Sequence, residues 1–599
     1  MSFSGLEEAL NFLDSKGELL RIKEETDPYL EMAAIHLEEH SRGGKAILFE
    51  KVKGSQFRAV SNLFGTDERA RLLFGSRFGM IGELASGVKN PGALLSKPRR
   101  WPSYLSAAFD ALPKVGGPRQ VRAHFREIKL SELPQIVHWP MDGGAFVTLP
   151  QVYSEDPDKP GWKGSNLGMY RIQISGNEYL PNQEAGLHYQ LHRGIGVHQT
   201  KWNKRHESMK VSVFVGGPPS HTFASVMPLP EGLPELSFAG VLGSRRFRLA
   251  YDEAGYAVSI DADFVICGEV PPGSLKPEGP FGDHLGYYSL KHLFPVMKIH
   301  KVYAKPRGIW AFTVVGRPPQ EDTAFGNLIH SMTGSALTAE IPGLQEIHAV
   351  DAAGVHPLLL AKGSERYTPY AEEERPAELL TIANHILGTG QLSLAKFLFI
   401  TDEGPSCYDI KDYFIHLFGR IDLSRDIHFY SETTIDTLDY SGGKLNAGSK
   451  VVFAARGKTP IRRLSTHWQF EGYETACVMP GVFALRMPAW KNEDDAEAER
   501  AVLKKKIEQT TYEGIAALVL TEDAGFPAED IKNFLWVTFT RMNPTHDIDG
   551  VADFFRNKHW GCKGPLLFDA RIKPHHAPVL KPDEERVARA KNILLKARS

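Results

Sequence analysis

The chain of 599 residues is poor in cysteine, has no long apolar run and carries almost no net charge. Its four cysteines, Cys267, Cys407, Cys477 and Cys562, are widely separated, and no two have CxxC spacing. That argues against a disulfide framework or a thiolate zinc site and for a reducing, cytoplasmic setting. No apolar stretch approaches the ~18 residues of a membrane-spanning helix. The acidic, amphipathic N-terminus lacks the apolar centre of a signal peptide. A formal net charge of -2 gives no bulk attraction to nucleic acid or to an anionic membrane. What is present, 42% hydrophobic and 24% charged residues, is an ordinary folded composition. The length suits about three or four domains of ~150 residues.

Three composition zones follow one another. Residues 1–115 read as a small α/β unit. Ser4-Gly5-Leu6-Glu7 has capping-box spacing before Leu6, Leu10 and Leu13, Gly17 is a stop, and Lys45 to Phe64 reads as a hairpin turning at Lys53-Gly54-Ser55. Residues 116–335 carry short β-type runs between Gly/Pro clusters, among them Met169–Ile174, Val211–Val215, Phe264–Ile266, Met297–Tyr303 and Ile309–Val315. That spacing suggests a β-barrel or sandwich. From residue 336 helices and strands alternate, and the chain repeats itself. Asp409–Ile427 aligns with Asp530–Ile548 at an offset of 121 with seven identities in 19 positions, including Phe418/Phe539 and Arg420/Arg541. The preceding strands, Phe397–Glu403 and Ala517–Asp523, align at an offset of 120, and a Pro-Gly pair (Pro342-Gly343, Pro480-Gly481) opens each copy. We read tandem α/β domains, a first copy at 336–455 and a second copy together with the chain's tail at 456–599. They are not equivalent, because Lys396 precedes the first strand and Ala516 the second.

Chemistry concentrates in Glu278-Gly279-Pro280-Phe281-Gly282-Asp283-His284-Leu285-Gly286-Tyr287-Tyr288. Its two carboxylates flank a Gly-Pro-Phe-Gly core that should form a tight, rigid turn. A rigid turn holding two acids suits acid/base work with divided roles. Upstream, Asn166-Leu167-Gly168-Met169-Tyr170-Arg171 sets an arginine, able to grip a carboxylate or phosphate, beside a glycine that admits a ligand. His188–Gly196 and Glu235–Gly240 add a histidine-rich stretch and a glutamate beside small apolar residues. Taken singly, each is more simply read as a solvated turn, a strand-end arginine, a structural histidine or a helix-start acid.

Their order resembles the UbiD family of reversible decarboxylases. The matching pieces are Leu48–Gly54, Asn62–Thr66, Asn166–Arg171, His192-Arg193-Gly194, Glu235–Gly240, Glu278–Tyr288 and Arg420–Asp426, spanning roughly residues 1–455. The resemblance implies a multidomain α+β and α/β architecture. Its centre is a split β-barrel like that of flavin reductases, flanked by the N-terminal unit and the tandem C-terminal domains. It implies prenylated FMN, supplied by a flavin prenyltransferase, with Mn²⁺ and K⁺ tying its phosphate to the protein. Carried over by position, Asn166, His192 and Glu235 form the metal set. Met169, Tyr170, Arg171, Arg193, Gly194 and Lys396 contact the cofactor, and carbonyls around Ala224, Ser225 and Met227 hold K⁺. Arg171, Glu278 and Asp283 form the catalytic trio, with Asp283 as proton donor. The implied reaction is reversible decarboxylation, through a covalent adduct with the cofactor, of an aromatic or α,β-unsaturated acid. The extra length resembles members of menaquinone-type pathways, which implies a naphthoate, with a quinone-precursor hydroxybenzoate or a simple phenolic acid as the other substrates the resemblance allows. The assembly implied is a homo-oligomer, a dimer or a hexamer. Two other readings share the sequence: an FMN-dependent oxidoreductase, and a non-catalytic subunit of a carboxylase complex.

Overall fold

The computed structural model describes residues 2–75, 77–89, 97–189, 194–229, 232–367, 370 and 374–598. The chain forms two units, one of Met1–Thr333 with Val579–Ser599, the other of Gly334–Pro578.

In the first unit, Leu6, Ala9, Leu10 and Leu13 line the buried face of the helix Leu6–Ser15, and Gly17 follows it at φ +74°. The cap differs from its expected form: Ser4 donates through both backbone N–H and hydroxyl to Glu8, each at 2.7 Å, and Glu7 instead pairs with Arg58. The expected hairpin is present, Ala46–Val52 pairing antiparallel with Arg58–Ser61. It belongs to a four-stranded sheet with Leu19–Thr26 at one edge and Ile309–Ala311 at the other. The expectation that Ile309–Val315 is a strand of the central zone is corrected: it crosses back to the N-terminal sheet, parallel to Arg58–Ser61.

Behind the site stands an antiparallel sheet of ten strands among the described residues. Its path runs Phe146–Val147, Ile172–Gln173, Glu184–Leu187, His292–Ala304, Phe264–Val270, Met209–Val215, Gln151–Glu155, Ser165–Gly168. Arg126–Ile128 and Leu275–Glu278 also pair with the long strand His292–Ala304. The path has two ends, and the described strands form no closed barrel. The strand expected over Met169–Ile174 is interrupted, Met169-Tyr170-Arg171 bridging Ser165–Gly168 and Ile172–Gln173.

The second unit contains the repeat. One sheet orders Glu346–Ala349, Leu358–Lys362, Phe397–Thr401, Gly448–Ala455, Ile427–Thr433, and the other orders Thr475–Met479, Val482–Arg486, Ala517–Thr521, Leu566–Asp569, Ile548–Gly550. Both have the pairing sequence antiparallel, parallel, parallel, antiparallel. The Pro-Gly pairs are not equivalent landmarks: Gly481 makes the turn between the first two strands of its sheet, whereas Gly343 precedes the first strand of the other. The copies meet through matching parts. Phe453 and Phe568, each paired with the middle strand of its own sheet, face one another at 6.2 Å. Cys562 N–H donates to Leu423 O at one edge, and Ser449 N–H to Asn543 Oδ1 at the other. Equivalent surfaces meeting in this way make a self-complementary, pseudo-twofold junction. Phe399 stacks on Phe453 at 4.5 Å and presents its edge to Phe539 at 5.8 Å.

The tail is placed differently from its expected position within the last α/β domain. Val579 bridges Tyr287, the helix Glu584–Arg598 packs on the helix Glu31–His40, and Arg589 pairs with Glu31. No described helix is long and apolar enough to cross a membrane.

Phe399 is fully buried, so Phe399→Ala leaves a cavity where four aromatic rings converge. The expected cost is about 3–5 kcal/mol, read as a lower urea midpoint for the transition of this unit. An unchanged midpoint would show that the copies do not depend on this cluster.

Candidate active site

The sheet places Arg171 opposite the end of the strand Leu275–Glu278. Its Nε and Nη2 each donate to a different Glu278 oxygen at 2.8 Å, a two-pronged, charge-assisted pair. Nη1 donates to Asp283 Oδ2, and Nη2 also reaches Ser289 Oγ at 2.8 Å. The guanidinium lies over the Phe281 ring at 4.7 Å. The expected trio is therefore brought together from two chain segments, Arg171 from one and Glu278 and Asp283 from the other. Ser289, which sequence reasoning passed over, completes the grip.

The expected single turn is two turns around a minimal hairpin. Gly279 takes φ +87°, Phe281–Gly282 pairs with Tyr288–Ser289, and Asp283 to Gly286 closes the hairpin. Side chains and amides outside the motif fix it. Gln173 Oε1 accepts from Gly279 N–H at 3.0 Å, and Asn177 donates to Gly279 O at 2.6 Å. Asp142 accepts from Gly282 N–H at 2.9 Å, and Leu580 N–H donates to Gly286 O at 3.0 Å. A Cβ on Gly282 would lie 2.0 Å from the Trp139 ring, so glycine is needed there for space.

Burial acts on all three acids. It pushes the Asp142 carboxyl up to about 7. At Glu278 burial acts in the same direction, but the charge and hydrogen bonds of Arg171 outweigh it, and the carboxyl falls below its ordinary value. At Asp283 burial is outweighed by the hydrogen bond from His284 and the charge of Arg171, and the group sits well below the usual carboxylate range. Both members of the pair are therefore anions at neutral pH.

A second cluster lies at the end of Ser165–Gly168. Glu235, first residue of the helix Glu235–Leu242, accepts from Leu167 N–H at 3.1 Å. Asn166 donates to the Tyr170 hydroxyl at 3.2 Å, and a Cβ on Gly194 would lie 2.3 Å from Asn166 Oδ1. Glu235 is pushed up to about 6 by burial, and among the described residues no cationic side chain is bonded to it. A half-buried carboxylate and a side-chain amide oxygen are the donor types a hard cation takes. His192 and Arg193 lie outside the described residues, and among the described residues no three His, Cys, Asp or Glu side chains form a metal-binding group. Met169 N–H donates to Ser225 O at 2.9 Å, while Ala224 O and Met227 O accept from Met227 and Leu229 amides. Each carbonyl keeps a lone pair for a cation. Lys396 belongs to the second unit. Fully buried, it pairs with Asp439 at 2.8 Å and donates to Ser441 Oγ and Met542 O, each at 2.8 Å. Its partners span both copies, and the equivalent Ala516 can make no such junction.

The site is thus an arginine locked to one acid and shared with another, set in a mixed α/β frame. Comparison with known proteins identifies the family. Residues 10–85, 114–318 and 323–455 match the N-terminal, Rift-related and C-terminal domain models of 3-octaprenyl-4-hydroxybenzoate carboxy-lyase. A 4-hydroxybenzoate decarboxylase component of Chlamydia pneumoniae is 33% identical over 597 residues, covering 97% of this chain and 96% of that protein. The closed form of vanillic acid decarboxylase from Sedimentibacter hydroxybenzoicus has the same fold, with TM-score 0.65, 21% identity, and coverage of 84% of this chain and 100% of its own. The UbiD-class enzyme HmfF of Pelotomaculum thermopropionicum, in complex with FMN, gives TM-score 0.60 at 21% identity, covering 78% and 96%. The chain belongs to the UbiD family of carboxy-lyases.

Because Glu278 is more acidic folded than unfolded, its contribution to stability is present above about pH 4.5 and lost as pH falls through its lower folded value. Glu278→Gln should flatten the loss of stability between about pH 5 and 3, and at pH 7 should cost about 3 kcal/mol by leaving Arg171 under-paired. Urea unfolding across that range is the measurement, and parallel curves for the two proteins would count against the assignment.

Proposed function

We propose that this chain catalyses the reversible, non-oxidative decarboxylation of an aromatic or α,β-unsaturated carboxylic acid, with prenylated FMN as cofactor. The observation that carries this reading is the hold of Arg171 on both Glu278 and Asp283. Glu278 accepts from Nε and Nη2, and Nη1 is the guanidinium nitrogen that Glu278 does not take. Nη1 is also the nitrogen bonded to Asp283, and an arriving carboxylate therefore competes with Asp283 for it. Arg171 orients the acid, the buried hairpin excludes water, and Asp283 delivers a proton to the carbon that has lost CO₂. When bound, prenylated FMN supplies the electron sink that an aromatic carbon lacks.

Met169, Tyr170, Arg171, Arg193, Gly194 and Lys396 are the residues assigned to the cofactor. Asn166, His192 and Glu235 are assigned to Mn²⁺, and the carbonyls of Ala224, Ser225 and Met227 to K⁺. The central sheet serves as the split barrel of the family. A flavin prenyltransferase supplies the cofactor in the cytoplasm, the assembly is a homo-oligomer, and the substrate is a hydroxybenzoate or naphthoate of the quinone-precursor type. The Arg171 trio favours this reading over hydride transfer, which needs no paired carboxylates around an arginine.

The test is co-expression with a flavin prenyltransferase and anaerobic purification, followed by native mass spectrometry, metal analysis and a panel of hydroxybenzoates and hydroxynaphthoates. Bound prenylated FMN with Mn and K is expected, together with CO₂ release from one of the acids. Asp283→Asn should retain the cofactor and lose both turnover and substrate H/D exchange. Bound unmodified FMN, or an active Asp283→Asn enzyme, would overturn the reading.

A further inference from the structure

Asp283 poses a problem for its own assignment, because the structure stabilises it as an anion and an anion has no proton to give. Its contacts are few and specific. Oδ2 accepts from Arg171. Oδ1 accepts from the backbone N–H of His284 at 2.7 Å and lies 2.9 Å from Nδ1 of the His284 ring. The two side chains differ in access, Asp283 being 9% exposed and His284 17%. Glu278, the other acid of the trio, has no exposure and is held by two guanidinium nitrogens, so it has no route to solvent. Ser289 is turned to Arg171. Among the described residues, the imidazole is a titratable side chain that both touches Asp283 and is partly exposed.

We propose that His284 is a positioning and proton-supplying residue that reloads Asp283 in each turnover. The inference rests on Asp283 being the donor to carbon. When a substrate carboxylate takes Nη1 of Arg171, Oδ2 of Asp283 loses its cationic partner and the carboxylate becomes more basic. His284, in its doubly protonated imidazolium form, then passes its Nδ1 proton to Oδ1, breaking N–H, making O–H and leaving a neutral imidazole. Loss of CO₂ breaks the carbon–carbon bond and leaves the electron pair on the substrate carbon, and the O–H proton of Asp283 makes the new C–H bond. The neutral imidazole takes one proton from solvent, so each CO₂ released consumes one solvent proton and nothing is oxidised or reduced. The order of events also protects the site, since the donor is armed only while substrate is bound.

The experiment compares His284→Gln, which keeps a hydrogen-bonding side chain but cannot carry a proton at neutral pH, with the wild type and Asp283→Asn. With the acid turned over in the panel above, His284→Gln should lower kcat by about 10²-fold with little change in KM. Added imidazole should restore much of the rate in His284→Gln and none in Asp283→Asn. A second readout does not depend on activity. In ¹⁵N-histidine spectra, the ring signals absent from His284→Gln should shift in Asp283→Asn. Wild-type kcat in His284→Gln, a loss that imidazole does not rescue, or a His284 signal indifferent to Asp283→Asn would each overturn the proposal. If Asp283→Asn is itself active, the donor assignment fails first, whatever His284 does.

Discussion

One buried cation, Arg171, organises the candidate site in the first unit of this protein. Taking a guanidinium and two carboxylates out of water costs several kcal/mol per ion, and only close pairing with hydrogen-bonded geometry offsets that. Arg171 achieves it by using Nε and Nη2 on Glu278 and Nη1 on Asp283. The surrounding structure serves to keep those partners where the arginine needs them. Gln173 and Asn177 fix Gly279, Asp142 fixes Gly282, and the returning tail fixes Gly286. The result is a buried pair of anions held by one guanidinium, Glu278 on Nε and Nη2 and Asp283 on Nη1.

The tandem α/β domains illustrate a different use of duplication. Their sheets share one topology, and their equivalent faces meet, so the second copy occupies within one chain the position a self-complementary partner could take. The copies diverge in what each places at that junction. Lys396 bonds Asp439 and Ser441 from its own copy and Met542 from the other. The buried ion pair would be costly if either member were lost, which ties the two copies together chemically as well as by packing.

Much of this was legible in the order of the residues. The repeat was visible as a constant offset, because strand and helix lengths are kept when one fold is built twice. The trio was visible through its motif order. The strand expected across Met169–Ile174 was not, because its β-type residues hide a bend that turns Arg171 toward the acids. The Pro-Gly pairs misled, since one dipeptide serves equally as a hairpin turn or a lead-in. Asp142, Ser289 and His284 went unassigned because hydrogen-bond partnership with the hairpin, Arg171 or Asp283 leaves no periodic or compositional trace.

The sequence by itself determined the local chemistry: which residues turn, which alternate into strands, that an α/β unit occurs twice, and that an arginine and two acids lie in motifs of recognisable order. These follow from the backbone preferences of each residue and from short-range periodicity. Tertiary structure alone decided that Ile309–Ala311 joins the N-terminal sheet and that Val579 and Leu580 return to brace the hairpin that carries Asp283. It also decided that Lys396 bonds across the copies, and that His284 holds one oxygen of Asp283 while Arg171 holds the other. Each of these outcomes depends on competition for burial and hydrogen-bond partners among distant segments, and that competition is settled only when the whole chain has folded.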